Sequence, residues 1–345
     1  MQIRQQQLQQ AVSRGLISGA QAEALWAMLA EDSQHTPTFR ASHVLYYFGG
    51  LLAIGAMTLF MNLGWERFGG WGLFFLALFY AGAGLWLGER LLFGKRLAIP
   101  AGILITFAVA LTPLAVYGLQ QALGLWAEGM SYRDYHVFID WRWMLMELAT
   151  LVAAAVALWR YRLPFIMLPV AVTLWYMSMD LAPWLAGEEG MSWELSRLVS
   201  LYFGLAMTLL AFWVDVRSRR SPDYAFWLYL FGVAAFWGGL SFQSSDSELN
   251  KLLYCCINLA LIAVGTLLSR RVFAVFGALG VAGYLGHLAW TVFRDSLGFP
   301  FALTVIGLGI VWLGIVWQRH EEAIRCRWQA RLPAALRELL QRDAG

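Results

Sequence analysis

Ten apolar runs divide the chain, near 44–63, 71–88, 97–119, 143–159, 163–184, 195–214, 224–242, 249–268, 272–292 and 299–318. Each approaches the ~20 residues that cross a hydrocarbon core as an α-helix. The loops between them are short. The pattern predicts an all-α fold: a polytopic membrane helix bundle of about ten transmembrane helices.

The basic residues sharpen this picture. Of the 25 Lys and Arg, 19 fall in one alternating set of segments and 6 in the other. Positively charged segments stay on the cytoplasmic side. Both tails and the loops around Arg90–Arg96, Arg160–Arg162, Arg217–Arg220 and Arg270–Arg271 are therefore expected inside. An odd number of spans would break the alternation. The fourth run, which starts among Trp141, Trp143 and Glu147, and the eighth, which carries Asn258, are the least regular.

Composition agrees, with 60% hydrophobic residues, 14% charged and 18 Trp. Trp65, Trp71, Trp126, Trp141, Trp143, Trp184, Trp193, Trp290 and Trp317 stand where interfacial anchors belong. The net charge of +3 reflects topology and contact with membrane lipids. It gives no reason to expect nucleic acid.

Three domains are expected. Residues 1–40 form a cytoplasmic helical hairpin, with Ile3–Ser13 and Ala20–Glu31 as helices around Gly15-Leu16-Ile17-Ser18, and Ser18 and Gln21 spaced as a capping box. Its apolar set is too small for an independent core, so it should dock on the membrane domain, on another subunit or on a cytoplasmic partner. Residues 41–318 form the ten-span domain. Residues 319–345 read as a basic amphipathic helix broken at Pro333, lying on the inner leaflet. The Gln-rich start lacks the apolar core of a signal peptide, so the first span itself is expected to direct insertion. Cys255, Cys256 and Cys326 suit neither a disulfide framework nor a metal site.

Residues 44–119 and 224–292 can be read as a parallel repeat, the alternative being the chance likeness of apolar sequences. Tyr46-Tyr47-Phe48-Gly49 matches Tyr229-Leu230-Phe231-Gly232, and Gly84 through Arg90 runs parallel to Gly265 through Arg271. The third span carries Pro100, Gly102, Pro113 and Gly118, and the ninth carries Gly277, Gly280, Gly283 and Gly286. Such interruptions either bend helices around a cavity or let neighbouring helices approach closely.

Ionisable residues inside spans are the best pointers to function, because a charge at the bilayer centre costs at least ~2.5 kcal/mol. Glu147, Asp180, Arg197 and His287 all sit towards the outer ends of their spans, with Asn62 and Asn258 on the same side. The expected ligand-binding set is Asp180, His287, Tyr284, Glu147, Tyr117 and Asn258, lining an outward-facing vestibule. Each has a plainer reading: Asp180, before Pro183, caps a helix break, and Glu147 and Arg197 pair or face headgroups. The loop from Gln120 to Arg142 forms either a lid or an interfacial helix. Motifs of the common hydrolases, nucleotide binders and metal enzymes do not occur, so no cofactor and no catalytic residue is expected.

The layout resembles the bacterial membrane proteins catalogued as domain of unknown function 2157. The residues that carry the resemblance are Gly15-Leu16-Ile17-Ser18 with Gln21 and Glu23, then His43-Val44-Leu45-Tyr46-Tyr47-Phe48-Gly49-Gly50, ending at Trp65-Glu66. The resemblance covers the first 120 residues or so and implies a bacterial inner-membrane location. It supplies no site residues. The functional expectation is binding or transport of a small or amphiphilic ligand through the outer cavity. The alternative is a scaffold or sensor that docks a partner, or a second copy, through the hairpin.

Overall fold

The structure is a computed structural model. It describes residues 8, 12–13, 15–33, 45–46, 48–50, 52–53, 55–56, 68–126, 141–186, 193–218, 223–243, 247–268 and 270–288, with 301, 304–305, 307–308 and 312 as isolated positions. The chain divides into two units, Met1–Leu52 and Ala53–Gly345.

In the first unit, α1 spans Gly19–Ser33. The expected capping box is formed: the Ser18 N–H donates to Gln21 Oε1 at 3.0 Å and the Gln21 N–H to Ser18 Oγ at 3.2 Å. Two otherwise orphaned N–H groups at the helix start are thereby satisfied. Gly15 makes the preceding turn at φ 69°, a left-handed conformation that glycine adopts without penalty.

The second unit is all-helical among its described residues. Its elements are α2 (Gly69–Glu89, continued by a π-helical turn Arg90–Gly94), α3 (Ala98–Ala110), α4 (Thr112–Ala122), α5 (Trp141–Tyr161), α6 (Met167–Ala186), α7 (Trp193–Arg217), α8 (Phe226–Ser241), α9 (Glu248–Leu267) and α10 (Arg271–His287). Among the described residues, five helical stretches are long and apolar enough to cross a membrane: Gly69–Gly94, Ala98–Ala122, Trp141–Tyr161, Trp193–Arg217 and Leu249–Leu267. Pro164–Asp180, Phe226–Ser241 and Arg271–His287 are shorter apolar helices. Together they occupy the second to ninth apolar runs, the irregular fourth and eighth included. The first and tenth runs lie largely outside the described residues, as do the basic tail and most of the Gln120–Arg142 loop.

The faces of α2 explain why these helices suit lipid. Leu73, Ala77, Gly84 and Gly88 point inward, whereas Trp71, Phe75, Phe79 and Trp86 are 51–70% exposed. The outward stripe is thus the bulkier and more aromatic one. In water it would be a large aggregation-prone patch; in hydrocarbon it is solvated.

Inside the bundle, small residues bring backbones together. A Cβ on Gly204 would collide with the Phe236 backbone N–H, and one on Gly239 would lie 2.6 Å from Leu201 N, so α7 and α8 run antiparallel in close contact. Gly118 similarly faces Phe74 N, while Gly88 faces Ala101 and Ile105, which locks α2 against α3 and α4. The glycines of the third and ninth runs that face neighbours therefore serve packing. The third run breaks at Leu111, just before Pro113, whose missing N–H starts α4 afresh.

These antiparallel pairings gather the cations. Arg90, Lys95, Arg96, Arg160, Arg162, Arg217, Arg270 and Arg271 all stand at one end of the bundle, here termed the basic end. Arg96 and Arg162 adopt left-handed backbone, φ 54° and 53°, at about 1 kcal/mol each for a residue with a side chain.

Candidate functional site

Local sequence sets where each predicted residue lies along its helix, and packing decides which of them meet. Tyr117 sits on α4, 1% exposed, in a cluster with Leu73, Leu114 and Met146. Its ring meets Trp126 edge-on at 5.3 Å, and Trp126 meets Trp143 at 6.4 Å. Two tryptophans expected at the interface thus turn inward to close over Tyr117. The amide of Gln120 ties this end together: its Nε2 donates to the Arg142 carbonyl at 3.0 Å, and its Oε1 accepts from Trp126 Nε1 at 3.2 Å.

Glu147 on α5 and Asp180 on α6 lie close enough for their carboxyl groups to interact. Helix α6 continues to Ala186, so Asp180 lies within it and does not cap a break at Pro183. Arg197 turns elsewhere, its Nη1 donating to the Phe242 carbonyl at 2.6 Å and its Nη2 lying 3.9 Å from Glu194. Two carboxyl groups near each other among apolar helices repel when both are charged.

The other predicted residues take the following places. Asn258 is fully buried on α9, donating from Nδ2 to the Tyr254 carbonyl at 2.8 Å, and its side chain presses against Gly280 of α10. Among the described residues its Oδ1 has no conventional hydrogen-bond partner; the Gly280 Cα–H group beside it offers a weak one. Tyr284 and His287 lie further along α10. Helices α6 and α10 both pack on α8.

A further polar cluster among the described residues was not anticipated. At the basic end, Arg270 precedes α10 and donates from Nε and Nη2 to both oxygens of Asp215 on α7, at 3.2 and 2.6 Å, while Nη1 donates to Asp223. Tyr229 of α8 adds its hydroxyl to Asp215 at 3.3 Å and its ring beneath the guanidinium at 5.7 Å. Burial disfavours the Arg270 charge, but Asp223 and Asp215 outweigh it and raise its pKa above the ordinary value. The sequence signal was an aspartate, Asp215, in the last turn of a mostly apolar helix.

Among the described residues no group of three His, Cys, Asp or Glu side chains is placed to hold a metal ion. Comparison of the chain with protein-family models, with curated proteins and with solved structures returns no match.

Proposed function

We propose that this chain is a multi-pass protein of the bacterial inner membrane, with about ten spans and both termini cytoplasmic, that binds a small or amphiphilic ligand from the outer face. The contact between Glu147 and Asp180 carries the reading. Two acids facing each other between apolar helices are a poor structural staple, since like charges repel and each is costly to desolvate. As a receptor for the cationic group of a ligand, or for a proton exchanged with it, the arrangement has a purpose. The gathering of cations at the opposite end supports placing the pair on the outer side. The resemblance of the first 120 residues or so supports the bacterial membrane.

The parallel repeat belongs to the same proposal. Gly84 and Gly265, equivalent in it, each sit near the end of a helix packed on the next, facing the Leu104 carbonyl and the Ala274 N–H.

The test is binding of a lipophilic monocation, tetraphenylphosphonium, to the protein in lipid nanodiscs. The variant carrying Glu147→Gln and Asp180→Asn should lose affinity at least about tenfold, the loss of one desolvated charge contact. Equal binding by the two proteins would remove the ligand-binding reading. A second reading, a scaffold that docks a partner through the N-terminal hairpin, is favoured by Leu16 and Leu25, which stay exposed beside the formed capping box. Deleting residues 1–32 should then abolish a co-purifying partner while leaving the membrane domain folded.

A further inference from the structure

At the basic end, two loops that are far apart in sequence are held side by side. The Tyr161 hydroxyl at the end of α5 donates to Glu89 Oε1 at 2.8 Å, across from α2. Gly102, one turn into α3, faces Leu163 and Phe165, which follow Arg162. The loop bearing Arg90, Lys95 and Arg96 thereby meets the loop bearing Arg160 and Arg162. Glu89 is the acid between them, and its contact with Arg160 is loose, at 3.9 Å. Among the described residues, Arg90, Lys95, Arg96 and Arg162 make no ion pair.

The apolar surroundings of these cations say what kind of anion would balance them. The Arg90 guanidinium lies 4.4 Å from the centre of the Trp86 ring, and the Arg160 guanidinium 5.3 Å from that of Phe93. Trp86, Phe93 and Trp159 are 58%, 59% and 79% exposed. Cations lying over outward aromatic rings mark the level where headgroups meet acyl chains. A soluble anion would use the charges and leave the rings uncovered.

We propose that the junction of the α2–α3 and α5–α6 loops is a binding site for an anionic phospholipid. Its phosphate lies among Arg96, Arg162 and Arg160, and its acyl chains run along Phe93 and Trp159. Cationic pockets between helices at the inner leaflet recognise anionic headgroups in this way. The site is independent of the Glu147–Asp180 pair, which lies towards the other end of α5.

The experiment reads lipid retention. The full chain is placed in nanodiscs of phosphatidylcholine with a minority of phosphatidylglycerol, extracted, and its retained lipid is weighed by native mass spectrometry. Phosphatidylglycerol should be enriched over its share of the bilayer. Arg96→Gln with Arg162→Gln should cut that enrichment about tenfold or more, from the loss of two cations near the membrane surface. The charge-preserving pair Arg96→Lys with Arg162→Lys controls for folding and should keep most of it, and Lys251→Gln at the opposite end should change nothing. Retention of the two lipids in bulk proportion, or equal enrichment in the Gln variant, would overturn the site. Thermal stabilisation by inorganic phosphate without phosphatidylglycerol enrichment would assign the cations to a soluble anion and overturn the lipid reading.

Discussion

Arg270 grips Asp215 with two edges of one guanidinium group, Nε 3.2 Å from Oδ2 and Nη2 2.6 Å from Oδ1, and so ties the start of α10 to the end of α7. Asp215 is only 9% exposed. Arg270→Ala would leave that carboxylate buried without its cation, a loss of about 3 kcal/mol. Arg270→Lys keeps the charge but not the fork and should cost less. Thermal unfolding in nanodiscs should rank wild type above Lys above Ala; equal midpoints for Lys and Ala would mean that charge contributes nothing there.

The α7–α8 contact should be intolerant at one glycine and indifferent at another. Gly204→Ala drives a methyl group into the Phe236 backbone, whereas Gly238→Ala meets nothing within 4 Å. The first should lower stability by about 1–3 kcal/mol and the second leave it unchanged. Yield and unfolding midpoint of the two purified variants decide the matter.

Asn258 and Gly280 should behave as one unit. Gly280→Ala places its new methyl group on top of the Asn258 side chain, and Asn258→Ala removes the obstacle. The double variant should therefore be more stable than Gly280→Ala alone, with a coupling of about 1 kcal/mol or more in a double-mutant cycle. Strict additivity would show that the two do not touch.

Gln120 holds both ends of the loop between α4 and α5. Gln120→Leu removes both hydrogen bonds and leaves the Arg142 carbonyl and the Trp126 N–H to find other partners, at about 1 kcal/mol each. Limited proteolysis within residues 127–140 should accelerate, with the helices on either side unaffected.

Much of the architecture was legible as pattern. Runs of apolar residues have to become helices in hydrocarbon, because no other arrangement satisfies the backbone there, and the second to ninth runs all did. Ser18 and Gln21 were legible as a capping box because the bond is local, three residues apart. Pro113 likewise marked its own helix break. The site was much less legible. Six residues near outer helix ends were expected to converge, and of these Glu147 and Asp180 lie close enough to interact. Tyr117 and Asn258 are buried in helix contacts.

Sequence alone determined which segments are apolar helices, where they start and stop, and on which side of each the cations fall, since all of these depend on the transfer of individual side chains between water and hydrocarbon. Tertiary structure alone decided which helices are neighbours and how each is rotated. In lipid every face of such a helix is apolar, so periodicity does not mark the buried one. The choice is made by glycines that admit another backbone, as Gly204 admits Phe236, and by polar side chains that find one partner across a contact, as Arg270 finds Asp215.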